Sequence, residues 1–230
     1  MEYKGVIEKK ILMKVTSRAR PEKLINCINE YLRLALNPKD MVWLFTFDSD
    51  DNCYNTISFC DSISHIINGD VHFSFGHSHN KIHAINRDVD ELHTPHWDIL
   101  LNISDDQLPV THGYDMVIRN AMPNDLDASL WFFDSWQMRI NTMEILGYNY
   151  WLRTKKIYND SYKSFYCDNE ATEVAQILGK LIKSDKCIIK HFHPAATKEV
   201  KYDSLYERNQ RYWDEDKQTF NTRRAMNYGL

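Results

Sequence analysis

The chain has 230 residues, 43% of them hydrophobic and 26% charged, with a net charge of −4. That length is enough for one large α/β domain or two small ones around a substantial core. The charge excludes a global pull toward nucleic acid or an anionic membrane, and no apolar run approaches the length of a membrane span.

The run Ile11-Leu12-Met13-Lys14-Val15 predicts a first strand, followed by the polar loop Thr16-Ser17-Arg18-Ala19-Arg20-Pro21. Pro21 suits the first turn of a helix, and Leu24, Ile28, Tyr31, Leu32 and Ala35 continue it at helical spacing as far as Asn37-Pro38. Met41 to Phe47 predicts a second strand ending in Asp48, Asp50 and Asp51, with a helix within residues 55–67. Val71 to Phe75 predicts a third strand ending at Gly76, residues 80–86 a short helix, and Asp98 to Ile103 a fourth strand. Strands alternating with helices in units of roughly 30 residues predict βαβ units in a mostly parallel sheet.

The second half carries weaker signals. Tyr114 to Ile118 fits a strand or a helix start, and Ser129 to Phe133 is strand-like. Asn141 to Leu146 predicts a short helix with Gly147 as its C-cap. Asp168 opens an amphipathic helix with Val174, Ile177, Leu178 and Leu181 on one face. Cys187 to Ile189 predicts a last strand leading into His191-Phe192-His193. From Lys198 a charged helical tail follows, anchored by Leu205, Tyr206, Tyr212, Trp213 and Phe220. The expected organisation is one mixed α/β domain over residues 1–197, with the tail 198–230 packed on it. Five widely spaced cysteines without a CxxC pair, and an N-terminus (MEYKGVIEKK) without a signal-peptide core, predict reduced, mostly buried thiols in a cytoplasmic protein.

In an open parallel sheet, ligands bind beyond the carboxyl ends of the strands. All four early strands end there in polar loops: Arg18 and Arg20, Asp48 and Asp50, Gly76-His77-Ser78, and Asp105-Asp106. Arginines near a helix start suit phosphate, and carboxylates suit base donors or ribose hydroxyls. Two adjacent carboxylates repel unless a cation stands beside them, and their oxygens suit Mg2+ or Mn2+. Each feature alone also fits an ordinary solvated turn; their coincidence on one rim carries the reading. His77, His79 and His83 admit a zinc site in principle, but no HExxH pattern or cysteine pair supports one.

This order of motifs resembles the nucleotide-sugar glycosyltransferases of the GT-A fold, and most of all the large inverting family 2. The likeness rests on Thr16 to Pro21, on Phe47-Asp48-Ser49-Asp50-Asp51, on GHSHNKIHAIN from Gly76 to Asn86, on Ser104-Asp105-Asp106 and on Tyr166 to Glu170. The resemblance implies a GT-A sheet and a donor that is a nucleoside diphosphate sugar, with Mn2+ or Mg2+ as cofactor. It places nucleotide-sugar contacts at Thr16, Arg18, Arg20, Asp48, Asp50, Lys81 and Asp105. It places the metal on Asp106 with His191 or His193, and makes Asp168 the base that deprotonates an acceptor hydroxyl. Two departures stand out: Ser-Asp-Asp replaces Asp-x-Asp, and Cys167-Asp168 replaces Glu-Asp, so the usual neighbouring carboxylate is missing.

Trp131, Trp136, Tyr148, Tyr150 and Trp151 fall where such enzymes build their acceptor side, beside Lys155, Lys156 and Lys163. That patch hints at an anionic acceptor, such as a hydroxymethylated base in phage DNA, with a glycan or protein as alternatives. A nucleotidyltransferase would use the same rim but needs a glycine-rich, lysine-bearing phosphate loop that the chain lacks. A non-catalytic nucleotide- or glycan-binding module is the other alternative.

Overall fold

A computed structural model describes residues 9–92, 96–196 and 203–230. Most of the N-terminal segment and the expected boundary at 197–198 lie outside the described residues. The first half holds β1 (Ile11–Thr16), α1 (Pro21–Leu34), β2 (Met41–Asp48), α2 (Ile57–Ile67), β3 (Asp70–Gly76), α3 (Lys81–Asn86) and β4 (Ile99–Ser104). These match the expected elements closely. Pro21 does open α1, and Asn80 caps α3 by accepting from the His83 amide at 2.9 Å. β5 (Gln107–Pro109) and α4 (Tyr114–Ala121) follow, which settles the Tyr114 segment as helix.

The remainder comprises β6 (Ser129–Phe132), β7 (Ile145–Gly147), α5 (Tyr148–Trp151), α6 (Cys167–Ile177), β8 (Leu181–Ser184), β9 (Ile189–His191), α7 (Ser204–Gln210) and α8 (Trp213–Ala225). Seven strands form one sheet in the order β3-β2-β1-β4-β7-β6-β8, and β5 pairs with β9. Only β7 runs against its neighbours, so the sheet is mixed and mostly parallel. Apolar side chains fill both faces: Met13, Trp43, Phe45 and Ile103 pack toward α1, and Leu12, Leu44 and Leu100 pack toward α3.

Two expectations for the second half are corrected. Residues 141–146 do not form a helix: Ile145 to Gly147 is an antiparallel strand against Ile99 to Leu101, and Gly147 has φ −70, not a C-cap geometry. A Cβ at Gly147 would lie 2.2 Å from the Leu126 carbonyl oxygen, so close backbone approach is what this glycine serves. The α6 helix buries Cys167, Glu170, Thr172 and Ala175, while Ile177 is exposed. Gly179, at φ +66, ends the turn after Leu178 and sends Leu181 into β8 rather than along the helix. The buried face of α6 is polar because α8 supplies its partner: Arg223 grips Glu170 at 2.7 and 2.8 Å. Cys27 and Cys167 are buried and Cys53 is exposed, and all five cysteines are free.

The tail is two helices docked on the body. Asp216 in the first turn of α8 is fully buried and accepts from the amides of Lys163, Ser164 and Phe165 at 2.8–2.9 Å. Phe220 is buried too, whereas Trp213 stays 41% exposed. Asp216→Ala leaves three amides without their acceptor and should cost about 3 kcal/mol or more. A urea titration should show a lower midpoint; an unchanged midpoint would mean that α8 contributes little to holding the 163–165 loop.

Candidate active site

The ends of β1, β2 and β4 and the start of α3 open into a cavity of about 520 Å3. Thr16, Ser17, Arg18 and Arg20 line it from the first loop, Asp48 from the second, and Ser78, Asn80 and Lys81 from the third. Asp105 and Asp106, Asp168, and His191 with His193 complete the same cavity. Of the expected site residues only Asp50 stands outside the lining; it pairs with Arg18 at the rim.

Adjacent buried carboxylates need separate partners, and each has one. Asp105 accepts from Arg20 at 2.9 Å and from the Ser17 hydroxyl at 2.6 Å. Burial pushes its carboxyl above the usual range, and Arg20 and Ser17 pull it back only in part. Asp106 accepts from the Tyr206 hydroxyl at 2.7 Å, and His191 Nε2 stands 3.7 Å away. Burial also works to raise Asp106, but His191, Ser104 and Tyr206 outweigh it and hold the carboxyl well below the usual range.

β9 fixes the two histidines. Its antiparallel pairing sets His191 opposite Gln107, and the Phe192 amide donates to the Asp106 carbonyl at 2.7 Å. His191 then lies between two carboxylates, with Nδ1 3.6 Å from Asp134. Burial opposes its charge, yet Asp106 and Asp134 lift it to about 9, so it holds a proton at neutral pH. His193 is pushed down to about 4, by burial first and then by the neighbouring His191. It is therefore neutral, stacked on Trp136 at 5.0 Å, with Nδ1 accepting from the Ala195 amide.

The two arginines are not free. Arg18 donates to Asp48 at 2.7 Å and forks onto Asp50 at 2.8 and 2.9 Å, while Arg20 bridges Asp105 and Asp203. Among the described residues, the cavity cations without an ion pair are Lys81 and Arg208, the latter on α7. Arg208 and Tyr206 come from the tail; Tyr206 is one of its expected anchors, but nothing in the local sequence marks either as a cavity residue. Four oxygens on lining residues are buried without a hydrogen-bond partner: Asp48 Oδ1, Ser78 Oγ, Asn102 Oδ1 and Asp106 Oδ1. Such orphans are rare in a folded core and are expected where a polar ligand completes the site.

Asp168 is the second residue of α6, and the cap position is Tyr166 at φ +60. Burial pushes the Asp168 carboxyl up, opposed by Lys81 and by the helix-start amides. The helix start therefore does not offset burial, and the shift makes Asp168 a stronger base. Behind it lies Glu144, 2% exposed, accepting from Ser129 at 3.1 Å and Asn141 at 3.4 Å. Burial lifts Glu144 to about 8, with Asp168 adding to the rise.

Several side readings fall away. His77, His79 and His83 stack on one another outside the cavity, and no group of three potential metal ligands forms among the described residues. Lys155, Lys156 and Lys163 are paired with Asp90, Asp160 and Glu215, which neutralises the supposed basic patch. Of the five aromatics expected on the acceptor side only Trp136 lines the cavity; Trp131 and Trp151 are core. No helix among the described residues is long and apolar enough to cross a membrane.

The sheet order and the rim site define a GT-A-like α/β fold, and comparison with solved structures agrees. The chain superposes on the mannosyltransferase PcManGT from Pyrobaculum calidifontis, solved in complex with GDP-Man and Mn2+, with a TM-score of 0.62 at 10% identity. It also superposes on residues 1–349 of S. aureus TarS, with a TM-score of 0.53 at 13% identity. The matches cover 81% and 83% of this chain but only 58% and 62% of those structures. No protein-family model matches the sequence, and no curated protein matches it.

The raised Glu144 carboxyl has a pH consequence with a definite sign. The native state holds this proton between the unfolded value near 4.5 and about 8. Its contribution to stability is therefore full below about 4.5 and is lost as pH rises through about 8. Glu144→Gln should remove that loss and raise stability at pH 8.5 by roughly 4–5 kcal/mol relative to the parent, with little gain at pH 5. Urea midpoints at the two pH values check it; equal changes at both would show that Glu144 is not held neutral.

Proposed function

We propose that the chain is a metal-dependent glycosyltransferase that moves a sugar from a nucleoside diphosphate to an acceptor hydroxyl with inversion. The observation that carries this reading is the set of orphaned buried oxygens around one rim cavity, beside two unpaired cations. Acceptor oxygens at Asp48 and Ser78 suit the N–H and O–H donors of a base and ribose. Lys81 and Arg208 are the cations left to meet a diphosphate, because Arg18 and Arg20 are spent on holding carboxylates.

The donor set fits a hard divalent ion. Asp106 keeps one oxygen without a partner, and Mg2+ or Mn2+ is commonly held by one or two carboxylates together with substrate phosphates rather than by a full protein cage. Asp106 and His193 are the residues that would hold it; His191, clasped between Asp106 and Asp134, orients Asp106. Bound there, the ion supplies charge stabilisation for the departing diphosphate.

This chain's own residues do the rest. Asp168 takes the proton from the acceptor hydroxyl as its oxygen bonds to the anomeric carbon. The bond from that carbon to the diphosphate oxygen breaks, and the electron pair leaves with the nucleotide. Lys81 and Arg208 offset the negative charge that accumulates there.

A thermal-shift panel of nucleoside diphosphates with Mn2+ should raise the melting point for at least one of them. Asp106→Ala should abolish the metal-dependent part of that shift, and Arg208→Ala should weaken diphosphate binding about tenfold. Asp168→Asn should lower turnover about 100-fold or more while leaving donor affinity intact. No shift with any nucleotide would overturn the donor site, and undiminished turnover in Asp168→Asn would overturn the base.

A further inference from the structure

Asn102 breaks the pattern of its own strand. β4 reads Ile-Leu-Leu-Asn-Ile-Ser, and the other side chains on the Asn102 face follow the core up to that point. Leu100 on the same face is fully buried against Leu12 and Leu44. Asn102 is itself 7% exposed, and its in-register neighbour on β1 is the fully buried Lys14. It presents a carbonyl oxygen that has no hydrogen-bond partner and belongs to a residue lining the cavity.

Its strand sets it apart from Asp48. Asp48 ends β2, and β1 lies between β2 and β4, so the two residues are separated by two strand spacings, roughly 10 Å. The Asn102 backbone amide donates to the Glu144 carbonyl at 3.0 Å, and the Glu144 carboxyl feels the charge of Asp168. Asn102 therefore belongs to the pole of the cavity that holds the expected base, beyond the Asp105-Asp106 pair. A sugar attached to a diphosphate at Asp106 and attacked from the side of Asp168 would occupy the cavity that Asn102 lines with both.

We propose that Asn102 reads the transferred group: its buried carbonyl oxygen accepts a hydrogen bond from a hydroxyl or amide N–H of the donor sugar. The inference rests on the nucleotide-sugar reading above. It makes Asn102 a specificity residue that separates sugars by whether they place a donor over β4. A site built to bond such a group rejects analogues lacking it far more strongly than an apolar pocket distinguishes by size.

The test compares each nucleotide with its sugar conjugate by calorimetry in Mn2+: UDP with UDP-glucose and UDP-N-acetylglucosamine, and GDP with GDP-mannose. In the parent protein the conjugate of the preferred nucleotide should bind more tightly than the bare nucleotide. Asn102→Leu, of similar volume, should leave the bare nucleotide within twofold and weaken the conjugate roughly tenfold. Asn102→Ser provides the same comparison if the leucine variant fails to fold. Equal weakening of nucleotide and conjugate, or no change in either, would overturn the assignment and leave Asn102 as a packing residue. If the parent protein binds none of the bare nucleotides, the donor-site reading itself has failed, and the Asn102 assignment goes with it.

Discussion

The buried guanidinium of Arg20 is the interaction on which the site depends. It reaches Asp105 at 2.9 Å and Asp203 at 2.7 Å, and Tyr206 packs over it with the ring centroid 4.6 Å away. One side chain thus ties the loop after β1 to the end of β4 and to the start of α7. Without it Asp105 would sit beside Asp106 with no cation of its own, in a place where burial already opposes its charge. Breaking a buried pair of this kind typically costs about 3–5 kcal/mol, because the remaining charge has no partner. With Arg20 neutralising its neighbour, Asp106 keeps one buried oxygen without a hydrogen-bond partner.

The same division of labour recurs around the cavity. Arg18 holds Asp48 and Asp50, leaving one Asp48 oxygen unpartnered, and Asp51 fixes the loop by accepting from the Ala19 amide at 2.7 Å, where φ is +54. Charged groups that lock the frame are distinct from groups left open for a ligand. Such a frame is fixed before any ligand arrives, which is what electrostatic preorganisation requires. The orphaned oxygens cost stability in the free protein, and a polar ligand would recover that cost.

How far this was legible in the sequence follows from what fixes each part. β1 to β4 and their helices are set by local periodicity and by strand-end chemistry, so residues 11–104 could be read almost element by element. The cluster of Thr16, Arg18, Arg20, Asp48, Lys81, Asp105 and Asp106 on one rim follows from parallel topology alone. The second half is set by distant partners. β7 is three residues long and exists because β4 offers an edge; α6 buries Glu170 because Arg223, 53 positions later, meets it. Tyr206 and Arg208 reach the cavity from a tail whose local pattern shows only a charged helix. The partners of Arg18 and Arg20 were equally invisible, since an arginine in a loop looks the same whether it awaits phosphate or already holds a carboxylate.

The missing carboxylate beside Asp168 has a structural counterpart. Cys167 takes that position in the sequence, and burial pushes its thiol up, so it adds no charge. The nearby acid comes from the start of β7 instead, where Glu144 lies behind Asp168 with its environment holding it neutral. Burial raises both acids, and it lifts Glu144 to about 8. Asp168 faces Lys81 and the first amides of α6, which oppose its rise, while Glu144 faces only hydroxyl and amide donors. A second ionised carboxylate there would raise Asp168 further. On the proposed function, replacing Glu-Asp by Cys-Asp keeps Asp168 as the base and leaves Glu144, held neutral behind it, as the neighbouring acid.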